Sequence, residues 1–159
     1  MLRLVAAVVV AAGLLLSNTG CAINRATATA DPSLRWDGIK TLHVKSLEGE
    51  DGSVRKLIVE KFRTSGFAVT TDPEPAGTPD ALVTYRDRWM WDITMYLLEL
   101  TISLHDPRTD VAVASGNSMH TSLTRKSAKE MVDEVVDNIL KLSAAGKHAI
   151  TGDPELNVA

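Results

Sequence analysis

The side chains with chemistry to offer in this 159-residue chain are four histidines, one cysteine, a serine set between glycine and histidine, and a short tryptophan-rich run. His43, His105, His120 and His148 stand apart, and no two share the i+2 or i+4 spacing that aims imidazoles at one metal ion. His43 and His105 fall at polar positions of strand-like alternation and read as solvated strand histidines. Gly116-Asn117-Ser118-Met119-His120 superficially has the look of a nucleophile elbow. It lacks the second glycine and lies within a strand, where the required strand–turn–helix geometry is absent. The glycines are scattered and form no phosphate cradle. Asp106 and Asp110 flank a proline turn, where aspartates satisfy local amides rather than cleave glycosidic bonds. The expectation is therefore no catalytic residue, no metal and no cofactor.

One segment is dense in a different chemistry. Tyr85-Arg86-Asp87-Arg88-Trp89-Met90-Trp91-Asp92-Ile93-Thr94-Met95-Tyr96 holds four of the chain's seven aromatic residues. In an extended chain Tyr85, Asp87, Trp89 and Trp91 point one way, and Arg86, Arg88 and Met90 the other. Two readings stand. Tyr85, Arg86, Arg88, Trp89, Trp91 and Tyr96 form an interaction surface, since Trp, Tyr and Arg dominate contact hot spots; or the tryptophans close one end of the core. A carboxylate at Asp87 weighs against burial of that face unless it has a partner. A bulge or turn near Trp89–Asp92 would remove the difficulty. Arg125 and Lys126 read as a solvated loop pair, with an anionic contact at that loop as the alternative.

Composition removes several classes. A net charge of −3 without a Lys/Arg stripe excludes a phosphate-neutralising nucleic-acid binder. At 45% hydrophobic and 23% charged residues the chain has the make-up of a globular domain rather than a disordered one. A single cysteine excludes an internal disulfide and a cysteine zinc cluster.

The elements that must position these residues are legible from periodicity. Residues 39–47 and 67–71 are strand-like, separated by a helix from Ser53, read as its N-cap, to a stop at Gly66. Residues 72–80 carry three prolines and a glycine and read as loop. Residues 81–87, 94–104 and 111–122 are strands, the last two a hairpin about Asp106-Pro107-Arg108-Thr109-Asp110. Ser127 and Glu130 form a capping box, and Val132, Val135, Val136, Ile139 and Leu140 give the helix that follows one apolar stripe, ending at Gly146. The order β-α-β-β-β-β-α predicts an α+β domain over residues 35–145: a mixed, largely antiparallel sheet of four to five strands with both helices on one face. Residues 146–159 read as a loose tail.

The amino terminus differs from all of this. After Arg3, residues 4–16 carry no polar side chain, too short a run for a bilayer span of about 20 residues. A basic start, a short apolar core and small residues beyond it form the pattern of a secretory signal, here residues 1–20. Ser17-Asn18-Thr19-Gly20-Cys21-Ala22 resembles the lipobox of bacterial lipoproteins, departing from it at Asn18, where leucine is usual. The resemblance implies cleavage before Cys21 and a diacylglyceryl group on its thiol, with a palmitate-type acyl chain on the new amino terminus. Cleavage without lipid after Ala28-Thr29-Ala30 is the competing reading, giving a soluble periplasmic or secreted protein. Residues 21–34 read as the lipidated end and a flexible tether, of which residues 22–33 reach at most about 40 Å. Ala22 after the cysteine implies outer-membrane sorting.

The lipobox, the element order and the hairpin leading into Ser115-Gly116-Asn117-Ser118 are together similar to families of small periplasmic lipoproteins, among them αβ domains of the TolB amino-terminal, PelC and CsgG type. That resemblance covers most of residues 35–142. It implies a lipid-anchored, non-enzymatic accessory or assembly subunit on the periplasmic face of the outer membrane, with an envelope protein as partner. The alternative is a domain binding cell-wall glycan or peptide fragments, or a small hydrolase, using residues 85–96.

Overall fold

The computed structural model describes residues 23–71 and 77–150. Along them run β1 (Asn24–Ala30), β2 (Thr41–Val44), α1 (Ser53–Thr64), β3 (Ala68–Thr71), β4 (Ala81–Trp91), β5 (Met95–His105), β6 (Ala112–His120) and α2 (Ala128–Ile150). One open sheet takes the order β1-β6-β5-β4-β2-β3. Its β1/β6, β6/β5 and β5/β4 pairs are antiparallel, and β2 lies parallel to both β4 and β3. The sheet is thus mixed, as expected, but has six strands rather than four to five.

The additional strand is β1, which the sequence reading assigned to a tether. Asn24–Ala30 pairs along its whole length with β6, from Asn24 opposite His120 to Ala30 opposite Ala114. Ala28 faces Gly116 and Ala26 faces Ser118, small residues on small residues, where α2 packs close over the sheet. A β-carbon added at Gly116 would lie 2.9 Å from Ile139 Cγ1 and 2.9 Å from Val135 Cγ1.

Both helices cover one face. Leu42, Val44, Val83, Leu100, Ile102 and Leu104 of the strands are buried with Val54, Ile58 and Phe62 of α1 and Met131, Val132, Val135, Val136 and Ile139 of α2. This is the apolar matter the two helical stripes were expected to bury. Lys61 of α1 joins the helices across their outer side, 2.7 Å from Asp137 and 3.7 Å from Asp133.

Helix ends follow local chemistry, with two corrections. Gly52, not Ser53, is the N-cap of α1; Ser53 is its first residue, and its N–H donates to Asp51 Oδ1 at 2.8 Å. At the other end Gly66 has φ +96°, and the Phe67 N–H reaches Phe62 O at 3.1 Å, the six-to-one bond of a left-handed helix stop. The capping box is present: the Glu130 N–H donates to Ser127 Oγ (3.2 Å) and the Ser127 N–H to Glu130 Oε2 (2.8 Å). α2 does not end at Gly146 but continues to Ile150. A glycine inside a helix costs about 1 kcal/mol, too little to stop a helix anchored on the core by Met131–Ile139. Residues 151–159 lie outside the described residues.

The opposite face is polar, and the two strand histidines on it are not solvated. His43 is only 3% exposed, because β2 is flanked by strands on both sides and their side chains close over it; its Nδ1 lies 3.0 Å from Thr70 Oγ1. His105 is half-buried, with Nε2 2.9 Å from Thr84 Oγ1 and Nδ1 2.9 Å from the Asp110 carbonyl. The β5–β6 turn forms as expected. Asp106 Oδ1 accepts the Arg108 N–H at 2.7 Å, and Asp110 takes the left-handed conformation at φ 55°.

Candidate functional site

β4 and β5 stay paired as far as Trp91 opposite Met95, whereas β6 leaves β5 at Glu99. Residues 89–98 therefore run on as a two-stranded ribbon past the edge of the sheet. A bulge between Arg88 and Trp89 changes the register there and re-aims the side chains that follow. The aromatic segment divides at this point. Tyr85, expected on the interaction surface, is instead a core residue at 6% exposure, and burial, then Glu50, pushes its phenol well above its usual pKa. Beyond the bulge Trp89, Met90, Trp91, Ile93 and Met95 are exposed, Trp91 to 68% and Ile93 to 89%. Tyr96 is half-buried, and Arg86 and Arg88 are exposed on the polar face.

The ribbon is held by polar contacts at its base and tip. The Trp89 indole N–H donates to Asp87 Oδ2 at 2.8 Å, which supplies the carboxylate's partner. Arg88 pairs with Glu99 at 3.2 Å. Arg125 is not a bystander of the loop before α2. Its guanidinium lies 4.2 Å from the centroid of the Tyr96 ring, donates to Thr94 Oγ1 at 2.8 Å and pairs with Asp92. That guanidinium, with the Ile93 amide, holds the Asp92 carboxyl below its usual pKa. A tip tied down by these contacts and carrying exposed apolar side chains is suited to contact, because less ordering entropy is lost when it is covered.

Because Trp89 is 41% and Trp91 68% exposed, Trp89→Ala and Trp91→Ala should each cost less than about 1 kcal/mol in urea unfolding. A tryptophan closing the core would cost about 3–5 kcal/mol, so a loss of that size in either variant would restore the core-packing reading.

Trp89 also borders an open cleft of about 520 Å³ with Leu47, Glu48, Glu50, Asp51 and Asp87. A second polar cluster is internal. Glu134 of α2 accepts from Ser118 Oγ (2.7 Å), His120 Nε2 (2.9 Å) and Lys126 Nζ (2.5 Å). Burial opposes its charge, but Lys126, Ser118 and His120 outweigh that and hold its pKa at about 2. Ser118 and His120 both turn to the same carboxylate rather than to each other, and both are fully buried. The cluster pins β6 to α2, with Ser118 and His120 fully buried beneath the partly exposed Glu134 and Lys126. It also gives Lys126 a partner, contrary to the solvated reading. Glu134 was not singled out in the sequence. Its signal was Ser118 and His120, polar residues at core-facing positions that need a partner on the covering helix.

Among the described residues no group of three or more His, Cys, Asp or Glu side chains is arranged to hold a metal ion, and no helix is long and apolar enough to cross a membrane. Residues 1–20, read above as a secretory signal, and Cys21 lie outside the described residues; His148 is within α2.

No family model matches the chain, and no curated protein matches it. Among solved structures it is similar to the PelC dodecamer from Paraburkholderia phytofirmans. A point variant of that protein superposes with a TM-score of 0.54 at 17% identity, covering 74% of this chain and 97% of that one. A second PelC dodecamer structure gives a TM-score of 0.53 with the same identity and coverage. TolB from Acinetobacter baumannii gives a TM-score of 0.43 at 13% identity, over 74% of this chain and 31% of that one. What this chain shares with PelC, over nearly the whole of PelC, is the fold.

Proposed function

We propose that this protein is a lipid-anchored lipoprotein of the bacterial envelope, a non-enzymatic accessory or assembly subunit on the periplasmic face of the outer membrane, meeting the rest of the envelope through its hairpin tip. The observation that carries the reading is the single cysteine, Cys21, directly behind a signal-like apolar run. Two others support it. The fold resembles that of a protein crystallised as a dodecamer, and Trp89, Met90, Trp91, Ile93 and Met95 are set out, exposed, on a paired ribbon. Feeding cells radiolabelled palmitate should label the protein, and Cys21→Ala should abolish the label and release the chain from the membrane fraction. Label that survives Cys21→Ala, or none on the wild type, contradicts the anchor.

A second reading rests on the cleft beside Trp89, where an indole stands among carboxylates, an arrangement suited to a sugar or cationic peptide fragment of the cell wall. Titration with muropeptides in a calorimeter separates the two readings, since an accessory subunit gives no heat.

A further inference from the structure

The exposed apolar side chains are not scattered. Among the described residues the large hydrophobic side chains that stand exposed are Ile23, Trp89, Met90, Trp91, Ile93, Met95, Val111 and Leu123. All but Val111 lie at one end of the sheet. Register places them there: Arg25 pairs with Met119, Met119 with Glu99, and Glu99 with Arg88. The start of β1, the end of β6 and the β4–β5 ribbon therefore leave the sheet in the same direction. Leu123 follows β6 in a short 3-10 turn, Ser122–Thr124, at that same end.

This is also the end from which the amino-terminal segment emerges, and its last described residue is held fast. The Ile23 N–H donates to Thr121 Oγ1 at 3.1 Å, and the Ile23 carbonyl accepts from the Thr121 N–H (3.1 Å) and Thr124 Oγ1 (2.6 Å). Cys21 is only two residues further on, a reach of at most about 7 Å. From the shared level of Arg25 and Glu99, the four residues back to Cys21 can reach at most about 14 Å. Met95 lies four residues out along β5, about 13 Å at the rise of a strand. β1 and β5 are two strand spacings apart, roughly 10 Å. A lipid on Cys21 is thus within reach of the plane of the ribbon's side chains.

We infer that this end, with Trp89, Met90, Trp91, Ile93, Met95, Ile23 and Leu123, lies in the interfacial layer of the same leaflet that holds the amino terminus, so that the domain sits directly on the lipid surface. The inference rests on the anchor proposed above and names the occupant of the tip. One acyl-type signal gives marginal attachment and a second makes it lasting; the ribbon supplies an additional contact from the folded domain. Tryptophan suits that layer because its ring is apolar and its N–H polar, and the N–H of Trp89 is already satisfied by Asp87. Trp36 sits before β2, at the far end of the sheet, and serves as an internal control.

The test reconstitutes the purified protein in phosphatidylethanolamine–phosphatidylglycerol vesicles with brominated acyl chains. Trp36→Phe, which reports Trp89 and Trp91, should be blue-shifted and quenched about twofold relative to plain vesicles, the response of a ring set at the acyl boundary. Trp89→Phe/Trp91→Phe, which reports Trp36, should be unchanged, and its difference from the wild type gives the same reading if Trp36→Phe misfolds. Trp89 and Trp91 emission that ignores bromine while the protein floats with the vesicles overturns the inference, whether the tip is then covered by a second copy or by another protein. If palmitate labelling fails, the same measurement at excess lipid is made on the chain with a bare thiol. Quenching there still supports the lipid-facing end and its absence overturns it, so failure of the anchor and failure of the tip are read separately.

Discussion

Replacing Glu134 by alanine should cost about 3 kcal/mol of folding free energy, because it leaves the Ser118 hydroxyl and His120 Nε2 buried without their acceptor and Lys126 without its counter-charge. His120 Nδ1 is already buried without a partner, so the variant would leave the whole ring unsatisfied at 0% exposure. The same group sets an acid limit. Its pKa is drawn from the usual 4.5 down to about 2, a shift worth about 3 kcal/mol. For a carboxyl depressed in the folded state, that contribution is complete above pH 4.5 and is lost as the pH falls through about 2. Urea unfolding of the wild type should therefore weaken steeply below pH 4.5, and Glu134→Gln should be less stable at pH 7 with a shallower acid limb. A Glu134→Ala protein as stable as wild type at pH 7 would show that the cluster does not pin β6 to α2.

Gly116→Val should destabilise by about 2–3 kcal/mol through overpacking. The added β-carbon alone would stand 2.9 Å from both Ile139 Cγ1 and Val135 Cγ1, closer than real carbons approach, so α2 must lift from β6. The two defects should partly cancel: Ile139→Ala in the same chain removes one obstacle, and the double variant should be more stable than the sum of the singles implies. Additive losses would mean that Gly116 is not a close-packing residue. The small side chains of β6 and β1 have this one physical cause, a helix lying close over them.

That cause explains what was hardest to read from sequence. Within Asn24–Ala30, residues 26–30 alternate alanine and threonine at strand period, yet neither the size nor the apolarity of the side chains announces a strand. Its partner is β6, nearly ninety residues away, and only the pairing of Ala28 with Gly116 shows why the residues are small. The ribbon was legible as a site but not in its orientation. A single bulge at Arg88/Trp89 separates buried Tyr85 from exposed Trp91, and strict alternation put both on one face. Local signals read well: the Ser127–Glu130 capping box, the Gly66 stop and the Asp106–Asp110 turn each depend on neighbours within five residues. Burial of His43 depends on β3 and β4 closing around β2, and Glu134 depends on which strand α2 covers.

The measurement that bears most directly on the account is the intact mass of the protein extracted from its own membrane. The account predicts a chain beginning at Cys21 that carries a diacylglyceryl group on sulfur and an acyl chain on its amino terminus. A free thiol at Cys21, or a chain beginning elsewhere, would contradict it.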